Sequence, residues 1–185
     1  PARTYSRGDL PDSTTPDQVR FGPDAAWEYG YGDSWAVVDG HSAMAMVASC
    51  RGMEIAIEKE QTTGIAYVGV KNSCHFAAAG YYALLAAKKN MIGLSMANDV
   101  PSMVAPGSKA PILGTNPFAL AIPGGKEKPI LLDIAMSTVA GSKVYAAVTQ
   151  GKPIPNTWIV DADGIPTTDG KLYPQSASMM PMAGH

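Results

Sequence analysis

The sequence predicts an α/β fold in which a mixed parallel and antiparallel sheet is covered by helices. Three observations predict it. Short apolar runs alternate with helix-period segments between residues 36 and 97. From residue 118 onward, apolar runs come in pairs around turn sequences, the pattern of hairpins. The 185 residues are 46% apolar and 16% charged, enough for a substantial core in one domain, or one and a fraction.

Residues 1–35 lack that regularity. They carry Pro11, Pro16 and Pro23 and many Asp and Thr residues, and read as an extended leader or connecting arm. Trp27, Tyr29, Tyr31 and Trp35 alternate with polar or glycine positions, as in a strand laid on another surface or a subunit contact. Arg7-Gly8-Asp9 spells an integrin-binding tripeptide, but three common residues match by chance too often to carry an assignment. AVVDG (36–40) is a short strand ending in a turn. Met46, Cys50, Met53 and Ile57 then recur at helical spacing, and Gly64 stops that helix because it accepts a left-handed conformation at low cost. IAYVGV (65–70) is a strand, KNSCHF a loop, 77–89 a second helix closed by Asn90, and MIGLSMA (91–97) a further strand.

A long loop follows, 98–117, with four prolines. FALAIP (118–123) and ILLDIA (130–135) flank the turn PGGKEKP as a hairpin. Ser137 or Thr138 can cap a helix running to about Thr149, ended by Gly151. WIVDADGIPTTDG is a second hairpin turning at Asp163-Gly164. The tail PQSASMMPMAGH shows no clear pattern.

Composition narrows function. Fourteen Lys and Arg against 16 Asp and Glu give a net charge of −2, without the cation surplus that nucleic-acid binding needs. The longest nearly apolar stretch, Ala77 to Ala87, falls well short of the ~20 residues of a membrane span. No basic-then-apolar signal segment opens the chain. Two cysteines, Cys50 and Cys74, make no disulfide framework and fit a reducing, cytoplasmic setting. No nucleic-acid or membrane partner is expected.

Three segments carry candidate chemistry. His75 lies between a strand and a helix, where α/β sheets gather their ligands. A neutral imidazole there can pass a proton near pH 7. The ordinary alternative is a loop histidine satisfying a carbonyl, and position alone favours it. Gly114-Thr115-Asn116-Pro117 offers a flexible backbone, a hydroxyl and an amide, suited to an anionic group. The same residues are also what an ordinary turn prefers. In Asp133-Ile134-Ala135-Met136-Ser137, a carboxylate ends an apolar strand and must be paired or face a polar site. Ser137 would cap the next helix, whose positive end suits an anionic cofactor group. His41, His75 and His185 have no metal-ligand spacing. Asp161-Ala162-Asp163-Gly164 opens like a calcium loop but lacks the later ligands, and a hairpin turn accounts for it. No G-x-G-x-x-G fingerprint or P-loop is present.

Together and in order, these segments resemble those of a known family. KNSCHFAAAGYYA (71–83) resembles its V-x-N-S-x-H-F-G-x-A-G-Y-Y segment. LGTNP (113–117) with FALAIP, and LDIAMS (132–137), resemble its L-G-T-N-P and D-x-A-x-S segments. IPNTWIVDADGIPTTD (154–169) resembles its P-x-x-W-x-x-D-x-x-G-x-P-T-x-D segment, and VDGHSAMAMVASCRGMEIAIEK (38–59) the stretch before them. The family is the malate/L-lactate dehydrogenase-like oxidoreductases, which includes ureidoglycolate dehydrogenase and diketogulonate reductase types, and the resemblance spans about residues 36–170. It implies a non-Rossmann nicotinamide-binding domain over 36–185, with a three-layer α/β/α arrangement and a mixed sheet. It implies NAD or NADP as cofactor, a small 2-hydroxy or 2-keto acid as substrate, and a homodimer. His75 matches the motif histidine, a proton donor or acceptor for the substrate oxygen. Asp99, Thr115, Asn116, Asp133, Ile134, Ala135 and Ser137 fall on stretches that line the cofactor site.

Three departures stand out. Position 77 is Ala where the family usually has Gly. The family's S-H-G segment, followed by an arginine that helps hold the substrate carboxylate, is not found in residues 1–35. The lysine of its Gly-His-Lys-Gly-like segment is absent after Gly184-His185. Two readings follow: a nicotinamide-dependent 2-hydroxyacid dehydrogenase, or a truncated, non-catalytic remnant kept as a cofactor-binding or interaction module.

Overall fold

The computed structural model describes residues 27–182 and Gly184. Residues 1–26 of the leader assigned to 1–35, including Arg7-Gly8-Asp9, and His185 lie outside the described residues. The described chain forms two compact units. One comprises the described residues through Leu94 together with Leu120–Leu131; the other comprises Ser95–Ala119 and the residues from Leu132 onward.

The first unit opens with β1 (Trp27–Tyr31), antiparallel to β2 (Trp35–Ala43). Residues 27–35, grouped with the leader on sequence grounds, are thus largely a hairpin. Gly32 turns it: its N–H donates to the Trp35 carbonyl at 2.8 Å, and a Cβ there would lie 2.3 Å from the Trp35 indole nitrogen. Helix α1 (Ala45–Thr63) crosses over to β3 (Tyr67–Ser73), which lies parallel to β2. Its buried residues, Ala45, Ala48, Gly52 and Ile55, recur every three or four positions and form one stripe. That stripe packs on Ala36 and Val38 of β2 and Val68 and Val70 of β3. At Gly52 the helix backbone comes so close that a Cβ would sit 3.1 Å from Val70. As its sequence requires, α1 ends at Gly64, left-handed at φ 74°, whose N–H donates to the Glu60 carbonyl at 2.7 Å.

A loop over residues 74–78 leads to α2 (Ala79–Ala87). It starts two residues later than the periodicity predicts, because Ala77 takes φ 63°, outside the helical region. After Asn90, also left-handed at φ 65°, the chain enters β4 (Gly93–Met96). Gly93 touches the helix directly: a Cβ there would lie 2.2 Å from the Ala83 carbonyl oxygen.

The long proline-containing loop is not wholly irregular, since it holds β5 (Met103–Val104) and β6 (Pro111–Leu113). Then come β7 (Phe118–Ile122), β8 (Ile130–Ile134), α3 (Gly141–Thr149), β9 (Ile159–Asp161), β10 (Pro166–Thr167) and β11 (Ala177–Met179). The expected single mixed sheet resolves into three, ordered β1-β2-β3, β4-β7-β8 and β10-β9-β11-β5-β6. The first and last of these mix parallel and antiparallel pairs. The strands β7 and β8 are neighbours, and β9 and β10 pair antiparallel around Gly164, as predicted. In the second unit, Val144 of α3, Ile154, Ile159 of β9 and Met179 of β11 form the core with Met103 of β5. The tail, patternless in sequence, supplies β11, whose three residues are all buried between β9 and β5.

Ala77 carries a measurable strain. A left-handed residue with a Cβ costs roughly 1–2 kcal/mol, which glycine avoids. Ala77→Gly is therefore expected to stabilise the fold by about 1 kcal/mol, net of the added freedom of the unfolded chain. Urea unfolding of the two proteins measures this; a lower midpoint in the glycine variant would contradict it.

Candidate functional site

In the second unit, three of the sequence-predicted residues converge. The Thr115 hydroxyl donates to Asp99 Oδ2 at 2.9 Å, and the Asp99 backbone N–H donates to Asn116 Oδ1 at 3.1 Å. Asp99 Oδ1 accepts from the Val100 N–H at 2.8 Å. Two loop segments, 17 residues apart in sequence at Asp99 and Asn116, are thereby joined. Gly114 is required for the approach, because a Cβ there would lie 2.4 Å from the Asp99 carbonyl oxygen. Asn116 holds the turn at φ 36°, a conformation Asn tolerates better than most residues. Asp99 is exposed, while Thr115 and Asn116 are half-buried, so the cluster presents a carboxylate, a hydroxyl and an amide at the surface.

The Asp133–Ser137 segment joins the same loop through its backbone. The Met136 N–H donates to the Thr115 carbonyl at 2.7 Å. Asp133 is exposed at the end of β8, Ile134 and Ala135 are half-buried, and Ser137 is buried. The tail fixes this segment: Met182 N–H donates to the Met136 carbonyl at 2.7 Å, Thr138 N–H to the Met180 carbonyl at 2.9 Å, and Ser137 bridges to Pro181. One expectation is corrected here. Neither Ser137 nor Thr138 caps α3, which begins at Gly141 behind Ala140 with no side-chain cap. The Ser137 hydroxyl instead donates to the Val139 carbonyl at 2.8 Å. The extended tail pairing holds 136–138 out of helical geometry, so the helix starts later. Tyr173, its ring tilted 57° against that of Tyr145 with centroids 5.4 Å apart, was not singled out from sequence. Burial, then Tyr145 and the Asp99 carboxylate, push its phenol above the ordinary tyrosine value.

His75 belongs to the first unit. It is exposed on the loop between β3 and α2, not buried among aliphatic side chains. Its neighbour Phe76 is anchored: the ring stacks on Tyr82 of α2 at 5.4 Å, and the Tyr82 hydroxyl donates to the Phe76 carbonyl. Burial pushes the Tyr82 phenol up to about 12, so it stays protonated as a donor.

Sequence reading passed over Asp39, which it took only as part of a turn. Asp39 is 4% exposed in the middle of β2. Its carboxylate accepts the His41 N–H at 3.0 Å and the Asn72 side-chain amide at 3.1 Å, and pairs with Lys71 Nζ at 3.2 Å. Burial alone would raise its pKa, but the His41, Asn72 and Lys71 donors outweigh that and hold it below the ordinary carboxylate value. The available signal was a carboxylate closing an apolar run, the same feature that marked Asp133.

The chain is similar in sequence and fold to known proteins. Malate dehydrogenase of Pyrococcus horikoshii is 42% identical over 153 residues, covering 83% of this chain and 42% of that protein. Ureidoglycolate dehydrogenase (NAD(+)) of Escherichia coli is 38% identical over 134 residues, covering 72% of this chain and 38% of that protein. Among solved structures, malate dehydrogenase from Entamoeba histolytica superposes with a TM-score of 0.81 at 35% identity, over 86% of this chain and 45% of that one. The chain thus spans less than half the length of these relatives, and it shares the mixed α/β fold of the dehydrogenase structures. Residues 23–185 match the family model described as malate/L-lactate dehydrogenase, and the chain belongs to that family.

Proposed function

We propose that residues 36–185 are the nicotinamide-binding part of an NAD- or NADP-dependent oxidoreductase acting on a small 2-hydroxy or 2-keto acid. The observation that carries this is the Asp99–Thr115–Asn116 cluster, joined through Met136 to the Asp133–Ser137 segment. Its donor set fits the group. A carboxylate, a hydroxyl and an amide within hydrogen-bond reach of one another suit the ribose hydroxyls and carboxamide of a nicotinamide nucleotide. Asp99, Thr115 and Asn116 would hold the nucleotide, with Asp133, Ile134, Ala135 and Ser137 forming the adjoining wall. When bound, the nicotinamide supplies or accepts the hydride at the C2 carbon of the substrate.

His75 manages the proton. Reduction of a 2-keto acid leaves an alkoxide, which takes a proton from an adjacent acid to become the hydroxyl. Oxidation reverses the step, with His75 as base. An exposed imidazole is reachable by substrate, which supports the role. The names of two relatives, malate and ureidoglycolate dehydrogenase, both concern 2-hydroxy acids and support that substrate class. The rest of the reading is a three-layer α/β/α, non-Rossmann domain, supported by the absence of a G-x-G-x-x-G fingerprint. It also includes a cytoplasmic homodimer, in keeping with two free cysteines and with exposed apolar residues such as Ile65 and Ile92. Among the described residues, no helix is long and apolar enough to cross a membrane.

Three outcomes are expected. In a thermal-shift series with NAD, NADH, NADP and NADPH, one nucleotide raises the melting temperature, with a gain of about 2.7 kcal/mol at a hundredfold excess over Kd; no shift with any of them at millimolar concentration sinks the proposal. Thr115→Val weakens that binding roughly fivefold, the effect of losing about 1 kcal/mol of hydrogen bonding, as read by calorimetric titration. In the intact protein, His75→Ala lowers turnover of a 2-keto acid by about 10²-fold or more and leaves nucleotide affinity unchanged. Nucleotide binding with no turnover of any such acid by the unmutated protein would favour the non-catalytic module.

A further inference from the structure

Four non-glycine residues of the first unit adopt left-handed backbone in the two segments that meet at the ends of β2 and β3. They are His41 (φ 46°), Ser42 (φ 60°), Asn72 (φ 49°) and Ala77 (φ 63°). Each such residue is strained and persists only when its surroundings over-determine it. The segments approach closely: a Cβ on Gly40 would lie 2.8 Å from the Asn72 carbonyl oxygen. The strand register also slips between Asp39, opposite Lys71, and Ala43, opposite Ser73. Beside the strand pairing, the Asp39 carboxylate ties the two segments together. It takes the His41 N–H on its own segment, and Asn72 and Lys71 on the other. The Asn72 amide reaches both oxygens at 3.1 Å. Farther along, Cys74 Sγ lies 3.6 Å from the Ser42 carbonyl oxygen.

We infer that Asp39 is a positioning residue for His75, acting through the left-handed turn at Asn72. Asn72 is the penultimate residue of β3, and His75 follows three residues later. On its far side, Phe76 is fixed by Tyr82. The histidine is therefore held on one side by the Phe76–Tyr82 contacts and on the other by the Asp39 tie at Asn72, with the Cys74–Ser42 contact between. A loop tethered only at Phe76 could swing the imidazole away from a bound substrate, and misplacement by even ~1 Å costs about 10²-fold in rate. The inference rests on the proposed role of His75 in proton transfer, but its test does not require turnover.

The test compares the unmutated chain with Asp39→Asn and Asn72→Ala by NMR without nucleotide. Asp39→Asn sets an amide N–H against the Lys71 or Asn72 donors. Amide exchange over 72–77 is expected to quicken about tenfold or more, the factor for lost charge-assisted hydrogen bonds. The His75 ring resonances shift or broaden, while amides of α3 keep their rates. Asn72→Ala, at an exposed position, reproduces the loop effect, and the double variant adds nothing to it. Uniform acceleration across all elements with unchanged His75 resonances would mean a merely structural carboxylate and would overturn the inference. Additive effects of the two substitutions would overturn it as well. If Asp39→Asn does not fold, Asn72→Ala decides alone: unmoved His75 resonances refute it. Failure of nucleotide binding is read in the thermal-shift series and bears on the functional reading, not on this one.

Discussion

A carboxylate withdrawn from water must be compensated, and Asp39 shows how the first unit meets that demand. An isolated buried carboxylate would cost several kcal/mol, so it persists only with donors on both oxygens. Here the donors come from β2 and from the end of the neighbouring strand β3. The requirement sets more than one contact. It holds a strand pair in register where the register slips, and it fixes the exit of the chain toward the histidine loop. The packing of α1 on the same two strands is the apolar counterpart, made close by Gly52.

The second unit uses neutral backbone bonds for the same purpose. The Met136–Thr115 bond joins two loops that carry the candidate nucleotide residues, and the tail pins Met136 from its other face. The site is therefore held partly by its own loops and partly by a tail that itself carries no candidate chemistry. This explains why Ser137, which by residue type should cap a helix, donates within its own extended segment instead. Tertiary pairing overrode the local preference.

What could be read from sequence follows physical rules. Helix α1 was legible because apolar residues recur at helical spacing and Gly64 is the residue its terminus needs, but the face was misjudged: Met46 is exposed and Cys50, Met53 and Ile57 only half-buried, while the small residues Ala45, Ala48 and Gly52, with Ile55, face the sheet. The turn at Asp163-Gly164 was legible because two short-range signals agree, an Asp-Gly pair and flanking apolar residues. Strand β11 was not legible. A strand buried on both faces shows no alternation, and Ala-Ser-Met has no strong strand preference. The two-residue β5 is too short for any periodicity to register. For the candidate site, Thr115 and Asn116 stood out as a hydroxyl and an amide in a glycine- and proline-flanked loop and Asp133 as a carboxylate ending an apolar run, and their grouping came from the order of family motifs. Asp39 satisfied the same criterion but sat before a glycine, so turn chemistry gave a sufficient account of it. Only its burial distinguishes the two cases.

The placement of β11 also constrains how the protein is made. This strand lies between β9 and β5, with the parallel partner β5 more than seventy residues earlier in the chain. A ribosome delivers Met103 long before Met179, so the apolar face of β5 must wait, without its central neighbour, until late in translation. Such long-range parallel pairing is slow to form and exposes an open edge meanwhile. The nascent chain is thus most vulnerable to mispairing in the interval between emergence of these two methionines, a window in which chaperone shielding would matter most.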